Sequence, residues 1–124
     1  WTGMQPQTVL GHMHLHVGNL PQASAFYGDV IGLDLIMRYG GAALFMSAGG
    51  YHHHLGLNTW AGVKAPPPPP EAIGLRYFSM KLPESNEVGA IADRVRGNDG
   101  SIEETGHGLL LRDPFKNGVL LTVA

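Results

Sequence analysis

Residues 9–17 read VLGHMHLHV, with His12, His14 and His16 alternating with Met13, Leu15 and Val17. Period-two alternation predicts a strand with two unlike faces, here one apolar and one of imidazole. Asn19, Leu20 and Pro21 follow, a helix start with proline at an early helical position. Ala23, Phe26, Tyr27, Val30 and Ile31 then recur at helical spacing until Gly32, which stands where a left-handed capping glycine belongs, so an amphipathic helix is predicted over 21–31. The stretches LDLIMRY (33–39), AALFMSA (42–48) and YHHHLGLNTW (51–60) are strand-like and punctuated by glycines. Their short gaps predict an antiparallel meander.

Five prolines at 66–70 break the pattern. Such a run cannot be helix or central strand and favours a stiff extended connector. The order then begins again: GLRYFSMKL (74–82) as strand, a helix opened by Pro83 and Glu84 and closed by Gly97, then SIEET (101–105), GLLLR (108–112) and GVLLTVA (118–124) as strands. At an offset of 65 residues Val17 falls on Leu82, Phe26 and Tyr27 on Ile91 and Ala92, Val30 on Val95, and Gly32 on Gly97. Neither half can bury both faces of four strands alone, so pairing is expected. The expected fold is α+β: two βαβββ modules, 9–60 and 74–124, joined by a connector at 61–73, forming a cup-shaped curled sheet with helices outside.

Composition narrows the function classes. At 124 residues the chain is one domain's worth, and 44% hydrophobic content is too high for disorder. A formal net charge of −2 offers no basic field for nucleic acid. The absence of cysteine excludes a disulfide framework, a cysteine zinc site and a thiol nucleophile. No apolar run approaches a membrane span and no secretory leader is visible, so a cytoplasmic protein with no membrane partner is expected. The start at Trp1 leads us to expect processing or a place within a longer polypeptide. Six of the seven histidines fall in two clusters, at 12, 14, 16 and at 52, 53, 54, while His107 reads as a turn residue. Met37, Met46 and Met80 read as core filler, and Glu103 with Glu104 as a solvated edge.

His12, Leu15, Val17, Asn19, Leu20, Ala23, Phe26, Tyr27, Asp29, Val30 and Gly32 form a pattern that resembles the vicinal oxygen chelate superfamily, as does the turn Asp113-Pro114-Phe115-Lys116-Asn117 before the last strand. That superfamily includes glyoxalase I, extradiol ring-cleaving dioxygenases, bleomycin-resistance proteins and epimerases. The stretch SAGGYHHHLGLNTWAG (47–62) is similar to the carboxy-terminal half of bacterial two-domain proteins of the catechol 2,3-dioxygenase type.

The resemblance implies a divalent metal at the bottom of the cup that chelates neighbouring substrate oxygens. His12 takes the first-strand ligand position and His54 falls near the fourth-strand one. In the second module Tyr77 stands where the first-strand histidine would be, and Leu120 where the last-strand glutamate would be. His53 matches the acid–base histidine of extradiol enzymes, whereas alternation favours His54 together with Asn58, and both assignments stay open. Tyr77 is the further catalytic candidate, with His14, His16, His52 and Asn58 as substrate-facing residues. The implied activity is extradiol cleavage of a catechol-type diol or related small aromatic, with Fe(II) or Mn(II). The alternatives are a glyoxalase-type Zn or Ni lyase, or a non-catalytic cup of the bleomycin-resistance kind. The incomplete ligand set leads us to expect a homodimer, or an adjoining amino-terminal domain, as the partner that completes it.

Overall fold

The computed structural model describes residues 1–8 and 11–124. Val9 and Leu10, which open the range expected for the first module, lie outside the described residues. The first strand, β1 (Met13–His16), sits where the alternation demands: Leu15 is buried while His14 and His16 stay exposed. Asn19 is extended (φ −153°, ψ 113°) and its side chain accepts the Gln22 N–H, which caps α1 (Leu20–Ser24) with Pro21 in its first turn. The helix runs on as a π-helical segment, Ala25–Ile31, and ends at Gly32 (φ 103°), whose N–H bonds the Tyr27 carbonyl. One α-helix was predicted over 21–31. Apolar spacing cannot separate the two forms, because both bury Tyr27, Val30 and Ile31.

β2 (Asp34–Tyr39), β3 (Ala43–Ser47) and β4 (Leu55–Asn58) complete a sheet ordered β1-β4-β3-β2, with β1 parallel to β4 and the rest antiparallel. The second unit repeats it with β5 (Phe78–Leu82), α2 (Ser85–Gly97), β6 (Ile102–Thr105), β7 (Gly108–Arg112) and β8 (Gly118–Val123), ordered β5-β8-β7-β6. Glu84 and Glu87 form a reciprocal capping box at the start of α2. The chain is thus α+β, built from two βαβββ modules as the pattern predicted.

Two predicted strands shorten. Of residues 51–60 only Leu55–Asn58 are strand, because Gly49 and Gly50 turn the chain with positive φ (62° and 72°) and 51–54 climb out of that turn. Of 74–82 only Phe78–Leu82 are strand, since pairing with β8 begins at Phe78 opposite Val119. Met46 is buried as expected, but Met37 is 50% exposed because β2 lies at the sheet edge.

One core joins the modules. Tyr27, Leu44 and Leu57 of the first pack in a continuous cluster with Val95, Leu111 and Leu121 of the second. Polar ties cross the same boundary. The Tyr27 hydroxyl donates to Asp113 Oδ2 (3.0 Å), and Arg94 Nε of α2 donates to the Val30 carbonyl (2.7 Å), closing the first helix with a cation. Asp113, 2% exposed, also accepts the N–H groups of Phe115 and Asn117 (both 2.8 Å) and the Asn117 amide (2.8 Å). That amide reaches on to the His16 carbonyl (3.2 Å), so the Asp-Pro turn of module two is fastened to β1. Burial raises the Asp113 carboxyl above its ordinary pKa against the pull of its N–H donors, and burial beside that carboxyl pushes the Tyr27 hydroxyl up.

Register makes the modules comparable position by position. His14 pairs with Gly56 as Ser79 pairs with Leu120, and His16 with Asn58 as Lys81 with Thr122. The first-module counterpart of Leu120 is therefore Gly56, not His54.

Candidate functional site

The alternation that buries Leu15 turns His14 and His16 to the opposite, open face of the first sheet. On β3, Phe45 is half-buried between fully buried Leu44 and Met46 and faces the same way. On β4, Gly56 and Asn58 share that face. Gly56 has a steric duty: a Cβ there would fall on the His14 ring, which lies directly above it. A glycine inside a strand marks this kind of close approach.

Asn58, 1% exposed, is held at both ends of its amide. Its Oδ1 accepts the Trp60 backbone N–H (3.1 Å), and its Nδ2 lies 3.0 Å from His14 Nδ1. Around this pair the rings gather. His12 stands 5.8 Å from His14 and 4.5 Å from His53 between ring centroids. Phe45 lies 4.8 Å from His53 and 5.8 Å from His14, and Trp60 is 5.4 Å from His14. Three imidazoles and two aromatic walls thus meet on one face.

The triple histidine divides. His54 stays in the backbone ladder, giving its N–H to Met46 and accepting the Met13 N–H (both 2.9 Å). Its Nδ1 lies 2.9 Å from Ser47 Oγ and its ring stacks on Tyr51 at 4.6 Å. His53, one residue earlier, folds its ring over His12. His52 packs on Tyr51 (4.1 Å) and His53 (4.6 Å) at the rim. The structure therefore brings His12, His14, His53 and Asn58 together, with His52 beside them and His54 turned to Ser47. His16 sits at the strand end against the Asp-Pro turn. Tyr77 stands on the second module beside Gly118, 45% exposed, and among the described residues no ring contact joins it to the histidines.

Electrostatics favour the neutral form at His14 and His53. Desolvation and the neighbouring His12 and His16 hold His14 below the usual histidine range. Desolvation and the nearby His12, His52 and His14 lower His53 against a His52 backbone hydrogen bond. Neutral imidazole can accept a proton or offer a lone pair to a metal. Among the described residues, however, no set of three or more His, Asp or Glu side chains is placed to hold a metal ion. His12 and His53 offer two nitrogens of the right type. Leu120 and its counterpart Gly56 offer no carboxylate.

Beside the imidazoles lies a hollow of about 820 Å³, bordered by His14, His16, Pro66, Arg76, Arg112 and Lys116. The connector forms its roof: the Lys64 N–H bonds the Gly18 carbonyl (2.7 Å), and a Cβ at Gly18 would meet the Ala65 carbonyl oxygen at 2.9 Å. Sequence reasoning missed Gly56, Phe45 and the basic border at Arg76 and Lys116. Of these only Gly56 carried a signal, as a glycine within an apolar strand.

A family model described as Glyoxalase/Bleomycin resistance protein/Dioxygenase superfamily matches residues 9–120. A protein of Bacillus subtilis (strain 168) named catechol-2,3-dioxygenase is 47% identical over 123 residues, 98% of this chain but 43% of the relative. The chain thus spans less than half of that relative's length. Among solved structures, lactoylglutathione lyase from Agrobacterium tumefaciens superposes with a TM-score of 0.70 at 24% identity, covering 97% of this chain and 96% of the other. The trypanothione-dependent glyoxalase I of Leishmania major gives 0.71 at 20% identity, covering 90% and 84%. These structural likenesses carry the fold. No helix among the described residues is long and apolar enough to cross a membrane.

Proposed function

This chain belongs to the Glyoxalase/Bleomycin resistance protein/Dioxygenase superfamily, and from that premise we propose that its histidine face binds a catechol-type diol as the substrate-binding part of an extradiol ring-cleaving dioxygenase. The observation that carries this reading is the convergence of His12, His14 and His53 on one face between Phe45 and Trp60. The aromatic walls suit a flat ring, and the imidazoles suit its two oxygens. The 47% identical relative named catechol-2,3-dioxygenase supports the choice of diol.

The superfamily and that relative imply a divalent metal. The described residues do not fit a complete site for one: two imidazole nitrogens, at His12 and His53, stand without a carboxylate. Full activity on this reading needs further donors from a second copy or an adjoining half, and Fe(II) or Mn(II) is the metal proposed. What this chain contributes is binding and proton handling. Left unligated, neutral and beside His12, His53 takes a proton from a diol hydroxyl. His54, bound to Ser47, steadies the turn that presents it.

The pairing of Gly56 and Leu120 at equivalent register positions favours a second reading, a binding cup without turnover. A glyoxalase-type Zn or Ni lyase has less support, since it needs a glutamate where Leu120 stands. Oxygen uptake with catechol, on protein supplied with Fe(II) and held at concentrations where copies associate, separates these: uptake that ceases in His53→Ala supports the dioxygenase, and tight catechol binding without uptake by the associated protein supports the cup.

A further inference from the structure

The hydrogen bonds around Asn58 fix more than position. A backbone N–H can only donate, so the Asn58 atom facing the Trp60 N–H (3.1 Å) is the carbonyl oxygen. The other arm of that amide is then its NH₂ group, which donates to His14 Nδ1 at 3.0 Å. Nδ1 must accept, and a neutral imidazole carries a single N–H, so the proton resides on Nε2. Asn58 is 1% exposed, which leaves no room for the amide to reverse without stranding the Trp60 N–H. The ring is seated by Gly56, with Nε2 lying where a side chain at 56 would begin.

We propose that Asn58 is a positioning residue that locks His14 as an Nε2–H donor, and that His14 reads a negatively charged ligand oxygen instead of ligating metal. This rests on the diol reading above and deepens it. A metal ligand through Nε2 needs its lone pair there, and Asn58 removes it. The ring borders the hollow that also holds Arg76, Arg112 and Lys116 at its edge, so an oxygen bearing negative charge, such as a singly ionised diol, suits that space.

The test has a readout independent of activity. In ¹⁵N-labelled protein, long-range ¹H–¹⁵N correlation of the His14 ring should show Nε2 protonated and Nδ1 bare. Asn58→Asp, which presents an acceptor in place of the NH₂, should reverse the two. Metal-free protein titrated with 4-nitrocatechol monoanion, followed by absorbance, should bind about tenfold more weakly in Asn58→Asp. His14→Phe, an exposed change that keeps a ring over Gly56, should show the same loss. A wild-type His14 protonated on Nδ1 overturns the proposal outright. So does the expected tautomer with affinity unchanged in both variants. Failure of the wild type to bind the probe overturns the diol reading and the recognition role with it, whereas binding with the tautomer reversed overturns this proposal alone.

Discussion

The His14 imidazole occupies the space in which a side chain at Gly56 would begin. Strand register puts these two residues opposite one another on parallel neighbours. Adding one methyl group therefore forces either the ring or the strand to move. Gly56→Ala should cost about 1–3 kcal/mol, the usual range for overpacking. In a His14→Ala background the same change should cost far less, so urea denaturation of the four proteins should reveal strong non-additivity. Equal costs in both backgrounds would mean the ring does not rest on position 56.

Tyr27 and Asp113 form one of the polar ties across the module boundary. Tyr27→Phe keeps the buried ring and removes the hydroxyl, leaving Asp113 with its N–H donors. A hydrogen bond to a charged acceptor is worth about 1.5–3 kcal/mol, and Tyr27→Phe should lose close to that in denaturant unfolding. A neutral result would show the bond to be dispensable.

Asp113 also sets a pH dependence. Its carboxyl pKa is raised by burial above the ordinary 3.8, so the folded state holds the proton more tightly than the unfolded chain. Its contribution to stability is full below that ordinary value and fades as pH rises through the raised one. Asp113→Asn removes the titration. The stability of wild type relative to this variant should therefore fall as pH climbs from below 3.8, then level off. Thermal unfolding of both proteins across that range checks the slope, and an opposite slope would mean the N–H donors outweigh burial.

Metal content tests His12. Where a second copy supplies the donors this chain lacks, protein purified without chelator should carry a divalent ion that His12→Ala loses, and mass spectrometry reads both. An equal content in the two would place the ion elsewhere.

Much of this fold was legible in the sequence, for physical reasons. The HMHLH alternation gave β1 its two faces, and Asn19 with Pro21 marked the helix start, because caps and periodicity are local. The connector was legible because proline forbids regular pairing. The site was less so. Alternation counted His54 onto the open face, and its backbone does remain in the ladder there. It could not foresee that the ring would turn to Ser47 while His53, in the turn, folded over His12. Side-chain direction beyond a strand end depends on neighbours far away in the chain. Nor could spacing show that Gly56 is the register counterpart of Leu120, since that follows from strand pairing.

The register that matches His14–Gly56 with Ser79–Leu120 puts bulk on opposite strands in the two halves. In the first module the outer strand carries the large group and β4 the small one; in the second the order is exchanged. The duplicated backbone is nearly symmetric, but its lining is handed. On the diol reading proposed above, a molecule whose two oxygens are chemically identical in water would lose that equivalence on docking, because at these matched positions one half of the repeat furnishes an imidazole and the other does not.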